Sequence, residues 1–160
     1  MKFLQSILRA LAVFFGAAFL QWLWSTHFAP YGLAPQILLV LTVAEASRRG
    51  APPAMALGFF WGLFLDTRGV GFFGANALAL VLLAYAAGLV RHQMDSGEAA
   101  PQAVLAVIAS WAYFLFLGLV SWIFTQRFSW VGWADFLVLP FYNGLLAVAL
   151  ALLRPRRRGA

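Results

Sequence analysis

The sequence predicts an all-α integral membrane protein with six transmembrane helices, and three observations predict it. Of its 160 residues, 64% are hydrophobic and 10% charged, and the mean hydropathy is +0.86. Average soluble domains are about half apolar and about a quarter charged, and a water-soluble globule of this size has too little interior to hide the excess. A span takes about 20 apolar residues, so six spans leave about 40 of the 160 residues for every loop and tail. A seventh span would leave almost none. With both termini cytoplasmic, Lys2, Arg9, Arg48, Arg49, Arg91, Arg154, Arg156, Arg157 and Arg158 fall inside, and only Arg68 and Arg127 fall outside. An error in span number would scatter these cations over both faces, so the bias supports six spans with this orientation.

The spans read as about 8–24, 34–47, 52–66, 74–91, 102–125 and 134–153, one transmembrane domain over 1–160. The first follows Lys2 and Arg9 and resembles a secretion signal. Bulky Gln21, Trp22 and Trp24 occupy the place of small cleavage-site residues, which predicts an uncleaved helix. Pro35 opens the second span, which leaves through Glu45 and Arg48-Arg49. Gly50-Ala51-Pro52-Pro53 is a turn into a short third span that ends at Asp66. A bend rich in glycine (Gly69, Gly71, Gly74) leads to the fourth, and Pro101 reopens the helix for the fifth after the polar stretch 91–98. The sixth runs into an arginine-rich tail.

Several function classes fall away. The net charge of +6 and pI near 10.8 raise the possibility of nucleic acid, but the cations sit at span ends rather than along a groove-like stripe. Orientation and anionic lipid explain them better. The absence of Cys removes disulfides, iron–sulfur clusters and thiolate catalysis, and two isolated His residues make a poor metal site. The acids Glu45, Asp66, Asp95, Glu98 and Asp135 are scattered over both faces, so no catalytic constellation, metal site or cofactor site is predicted.

Four features depart from plain lipid-filling. Gly58 and Gly62 form a small-xxx-small motif, and Asp66 follows four residues later. At about 100° per residue the three share one helix face, which suits close contact with another helix inside the bundle or in a partner. Asp66 sits at the negative end of its own helix dipole and needs a hydrogen-bonding or cationic partner. Arg68, swung round by a bend at Gly69, and Arg127 are the cationic candidates; a solvated residue opening a turn is the alternative. The G-x-G-x-x-G of Gly69, Gly71 and Gly74 has no preceding strand or βαβ unit, so it reads as a tight reentry between helices rather than a nucleotide loop. In the sixth span, Pro140 predicts a kink, and Asn143-Gly144 places a mid-span amide that requires an interhelical partner or lines a pocket.

Glu45 is paired by Arg48 and Arg49 at i+3 and i+4. The basic tail reads as an orientation signal touching anionic lipid, or as a filament-docking site. Trp22, Trp24, Phe28, Tyr31, Phe72, Phe73, Trp122, Phe128, Trp130 and Trp133 cluster near the outer boundary, as an interfacial belt or a surface for a membrane-associated partner.

Three segments together resemble the rod shape-determining protein MreD family: Leu33-Ala34-Pro35-Gln36-Ile37-Leu38-Leu39, then Gly58 to Gly62 with Leu63 and Asp66, then Gly74-Ala75-Asn76-Ala77-Leu78 running on to Tyr85. Tyr142-Asn143-Gly144, the length and the basic tail agree. The GxxxGLxxD motif with its glycine-rich bend is the most specific of these. The resemblance implies an inner-membrane bundle similar in fold to the substrate-binding (S) components of energy-coupling factor transporters. It implies a non-enzymatic role in side-wall peptidoglycan synthesis and rod cell shape, with MreC as the main partner. RodA, its transpeptidase and the MreB filament belong to the wider complex. The short cytoplasmic loops, with Asp95 and Glu98 after Arg91, depart from a filament-binding surface there.

The leading expectation is therefore a scaffold that holds MreC, with Gly58, Gly62 and Asp66 as the functional face and Gly74 and Asn143 next. On that reading Gly62→Leu abolishes copurification with MreC while the mutant still inserts. The alternative is an S-component-like pocket near Asp66 and Asn143, with His27, for a small molecule or lipid-linked precursor. An enzyme acting on lipid is a third class, disfavoured because no acid–base pair is in view.

Overall fold

The computed structural model describes residues 2–27, 33–69, 71–90 and 99–153. Six helices follow in chain order: α1 (Lys2–His27), α2 (Ile37–Arg49), α3 (Ala51–Asp66), α4 (Ala75–Val90), α5 (Ala99–Thr125) and α6 (Trp133–Leu153). The described residues contain no strand. The expectations placed on the loop 91–98, the arginine tail, Phe28 and Tyr31 lie outside the described residues.

Helix α2 is the hub, packed against each of the other five helices. Eight of its thirteen residues are buried, Ile37, Leu41 and Glu45 form a less covered stripe along one side, and Arg48 and Arg49 are exposed at its end. Gly50, at φ 92°, breaks α2 from α3 in a single residue, a conformation that a side chain would strain. Pro52 and Pro53 then sit in the first turn of α3, where no intrahelical donor is lost. The pairs α3–α4 and α5–α6 form the two most extensive contacts, each an antiparallel hairpin. Among the described residues helix α1 packs chiefly on α2 and α3. Trp61 fastens it, stacking on Phe14 and donating from Nε1 to the Phe14 carbonyl at 3.3 Å.

The interior is made of small residues. Ala46, Ala54, Ala79, Ala84, Ala106 and Ala147 are buried among Leu38, Leu39, Leu80 and Trp61, while Phe15, Phe60, Leu89, Phe124, Leu145 and Leu153 are exposed. Small interfacial side chains let helix backbones approach closely, the arrangement expected where dispersion rather than water drives packing. Polar Gln21, Thr42, Ser47, Asp66, Gln102, Ser110 and Asn143 are all buried. Among the described residues two helices, α5 and α6, are long and apolar enough to cross a membrane, and α4 is a shorter apolar helix. Pro140 is buried inside α6, and the helix continues through it.

Candidate functional site

Helix beginnings leave backbone N–H groups without intrahelical acceptors, and burial makes each one costly. In this bundle the beginnings of α2 and α4 are met by three polar side chains from neighbouring helices: Asp66, Asn143 and Gln21.

Asp66 meets α4. Its Oδ1 accepts the Asn76 backbone N–H at 3.0 Å and Asn76 Nδ2 at 2.9 Å, and its Oδ2 accepts the Ala77 N–H at 3.2 Å. The carboxylate thus closes its own helix at an unfavourable dipole end but caps the positive end of the next one. Asn76 Oδ1 in turn accepts the Tyr113 hydroxyl from α5. Asn143 meets α2. Its Oδ1 accepts the Gln36 N–H at 2.8 Å, and its Nδ2 donates to Gln36 Oε1 at 3.1 Å and to Ser110 Oγ at 2.8 Å. Gln21 completes the second cap from α1, donating to the Pro35 carbonyl at 3.2 Å while its Oε1 faces the Leu38 N–H at 3.4 Å. Ser110 and Tyr113 lie one turn apart on α5, so both networks are anchored on that helix.

The close approach that lets Asp66 reach α4 is made by glycine. A Cβ at Gly62 would lie 2.2 Å from Ala77 Cα and 2.4 Å from Ala77 N, and one at Gly58 would lie 3.1 Å from the Leu80 carbonyl oxygen and from Thr42 Cγ2. The expectation that this face receives a partner is corrected here: α4 and α2 of the same chain already fill it. The cationic partners foreseen for Asp66 are corrected as well. Among the described residues its acceptors are used by amides of α4, Arg68 lies over the Phe64 ring at 5.9 Å, and the ion pairs are those of Glu45 with Arg49 (2.9 Å) and Arg48 (3.7 Å). The Glu45 pairing agrees with its spacing.

Of the three bend glycines, only Gly74 has a positive φ, 95°, and it sits immediately before α4; its carbonyl accepts the Leu78 N–H at 2.9 Å. Asp66 and Asn143 belong to separate hydrogen-bond networks, one at the start of α4 and the other at the start of α2. A narrow crevice between α2 and the α5–α6 pair, lined by Val40, Val43, Ala44, Ser47, Gln102, Ala106 and Ala147, lies one turn from the Asn143 network, and Ser110 Oγ donates to the carbonyl of its lining residue Ala106 at 2.7 Å. His27 is exposed at the end of α1, edge-on to Trp22.

Sequence reasoning missed Gln21, Gln36, Asn76, Ser110 and Tyr113. A signal existed for Gln21 and Ser110, which are polar residues inside apolar runs, as Asn143 is. It also missed Gly88, where a Cβ would meet Ala51 Cβ at 2.6 Å and which lets α4 close on the start of α3. The end of the bundle where α3 and α5 finish carries an aromatic surface: Phe72 packs on Phe124 at 5.0 Å, and Trp130 contacts Trp133 at 5.0 Å and Phe136 at 5.1 Å.

Fold and site define an all-helical bundle, among the described residues, in which buried Asp66, Asn143 and Gln21 cap the beginnings of neighbouring helices. No family model, curated protein or solved structure matches this chain.

Proposed function

We propose that this chain is a multi-pass protein of the bacterial inner membrane, six spans with both termini cytoplasmic, acting as a non-enzymatic scaffold of the MreD kind in the cell-elongation complex. It holds MreC through membrane-embedded and outer-face contacts, fixes that partner's conformation or oligomeric state, and so supports side-wall peptidoglycan synthesis alongside RodA, its transpeptidase and MreB. The observation that carries the scaffold reading is the distribution of chemistry. Asp66, Asn76, Asn143 and Gln21 spend their polar atoms on other helices, while large apolar side chains face outward. Such a bundle is stiff and offers its surroundings an oily, aromatic exterior. The identity of the partner rests on the motif resemblance.

Because the Gly58–Gly62 face is filled internally, the partner surface belongs on the exposed exterior. The test is purification of the full chain from native membranes in mild detergent, with photo-crosslinking residues at exposed Phe73 and Trp133. MreC in the eluate and in the crosslinked product is the expected result. Recovery of the folded chain without MreC overturns the proposal. The small-molecule pocket reading gains nothing from Asp66 and Asn143, whose acceptors and donors are occupied within the chain.

A further inference from the structure

We propose that the flank of α2 formed by Ile37, Leu41 and Glu45 is a slot for one anionic phospholipid of the cytoplasmic leaflet, with its acyl chain along Ile37 and Leu41 and its phosphate on Arg48 and Arg49. The leaflet assignment rests on the six-span reading above. Among the described residues the five other helices surround α2 in the order α1, α3, α4, α5, α6, each packed on the next, while α6 and α1 share no extensive contact. The ring is open on that side. At about 100° per residue, Ile37, Leu41, Glu45 and Arg48 fall within about 80° of one another on α2. On one side of that sector Ala44 lines the crevice shared with Ala147 of α6, and on the other the Leu38 N–H faces Gln21 of α1. The less covered stripe therefore looks out through the opening between α6 and α1.

The stripe is apolar over its first turns and charged at its end. The Glu45 side chain is 13% exposed and draws in Arg49 at 2.9 Å and Arg48 at 3.7 Å, whose side chains are 65% and 40% exposed. One carboxylate, with about four acceptor sites, meets two guanidiniums that carry about ten N–H donors between them. Net positive charge and spare donors are thus held at the end of the opening, and a lipid phosphate matches both. Length favours lipid over a protein segment. The eleven steps from Ile37 to Arg48 make about 16 Å of helix, and one leaflet of the hydrocarbon core is about 15 Å deep. A phosphate on Arg48 therefore lets its acyl chain end beside Ile37. A partner's transmembrane helix would instead cross both leaflets and bury Glu45 and its arginines against apolar side chains.

The test places the full chain in phosphatidylcholine nanodiscs doped with phosphatidylglycerol that carries a diazirine in one acyl chain. After irradiation the labelled residues are located by mass spectrometry. Label is expected on α2 between Ile37 and Leu41, about tenfold above that left by the same diazirine on phosphatidylcholine. Arg48→Gln with Arg49→Gln should lower it to the phosphatidylcholine level, and Arg48→Lys with Arg49→Lys should restore at least about half. Inorganic phosphate at constant ionic strength should not compete. Equal labelling of α2 by the two lipids, or indifference to the glutamine pair, overturns the proposal. So does loss of label on adding inorganic phosphate, which assigns the arginines to the free ion. Leu115 and Leu145, exposed on α5 and α6, take label from both lipids on the six-span reading. Their remaining unlabelled overturns that reading itself, whereas label there without label on α2 overturns the slot alone.

Discussion

Replacing Gly62 by alanine is the smallest change that probes the centre of the bundle. The added Cβ falls 2.2 Å from Ala77 Cα and 2.7 Å from the Asn76 carbonyl carbon, both backbone atoms that no rotamer change can move. Helix α4 must retreat by about 1.2 Å to restore van der Waals contact. Asp66 holds α4 by bonds of 3.0, 2.9 and 3.2 Å, and a retreat of that size stretches them beyond useful length. Overpacking costs about 1–3 kcal/mol, and weakening charge-assisted bonds adds about 1.5 kcal/mol or more, so a total of about 3–5 kcal/mol is expected. Equilibrium unfolding in mixed detergent, followed by tryptophan fluorescence, measures it. Gly16→Ala is the control, since a Cβ there meets nothing within 4 Å, and it should be neutral or gain up to about 1 kcal/mol from helix propensity. If Gly62→Ala unfolds together with Gly16→Ala, the close α3–α4 approach and everything built on it are wrong.

Asn143→Leu orphans the Gln36 N–H and removes both donations to Gln36 and Ser110; a loss of about 2 kcal/mol in the same unfolding assay is expected, and a neutral result rejects the α2 cap. Gly88→Val should destabilise by about 2 kcal/mol or more through collision with Ala51, whereas Gly71→Ala, which meets nothing within 4 Å, should change stability by less than about 0.5 kcal/mol. Gly74→Ala has space but a left-handed backbone at φ 95°, so it should cost about 1–2 kcal/mol from conformation alone. Glu45→Gln should cost less than about 1 kcal/mol, because its arginine partners are largely solvated.

Much of the architecture was legible in the sequence because helices announce themselves locally. Pro52-Pro53 after Gly50 marked the start of α3, and the apolar runs placed the six helices close to where they lie, α1 and α5 extending a few residues further. The demand that Asn143 find an interhelical partner was readable from its position in an apolar run, and Gln36 and Ser110 answer it. What the demand could not reveal was the partner, more than a hundred residues away in Gln36. Asp66 shows the limit more sharply. Judged on its own helix it sits at the wrong end of a dipole, and Arg68, Arg127, a hydrogen-bonding partner or plain solvent all remained open for it. The α3–α4 turn instead aims it at ten- and eleven-residue-distant amides of the next helix. Spacing gave the shared face of Gly58, Gly62 and Asp66 but not whether that face turns toward this chain or another.

By itself, then, the sequence determined an apolar, helical, cation-biased chain and the residues that cannot remain unpartnered in it. These are consequences of composition and periodicity, which act over one or two turns. Only the tertiary structure decided which helix receives the smooth face of α3, and which side chains cap the buried beginnings of α2 and α4. Those choices depend on close approach between segments far apart in the chain, set by how glycine and alanine surfaces fit together, and a one-dimensional pattern does not encode that fit directly.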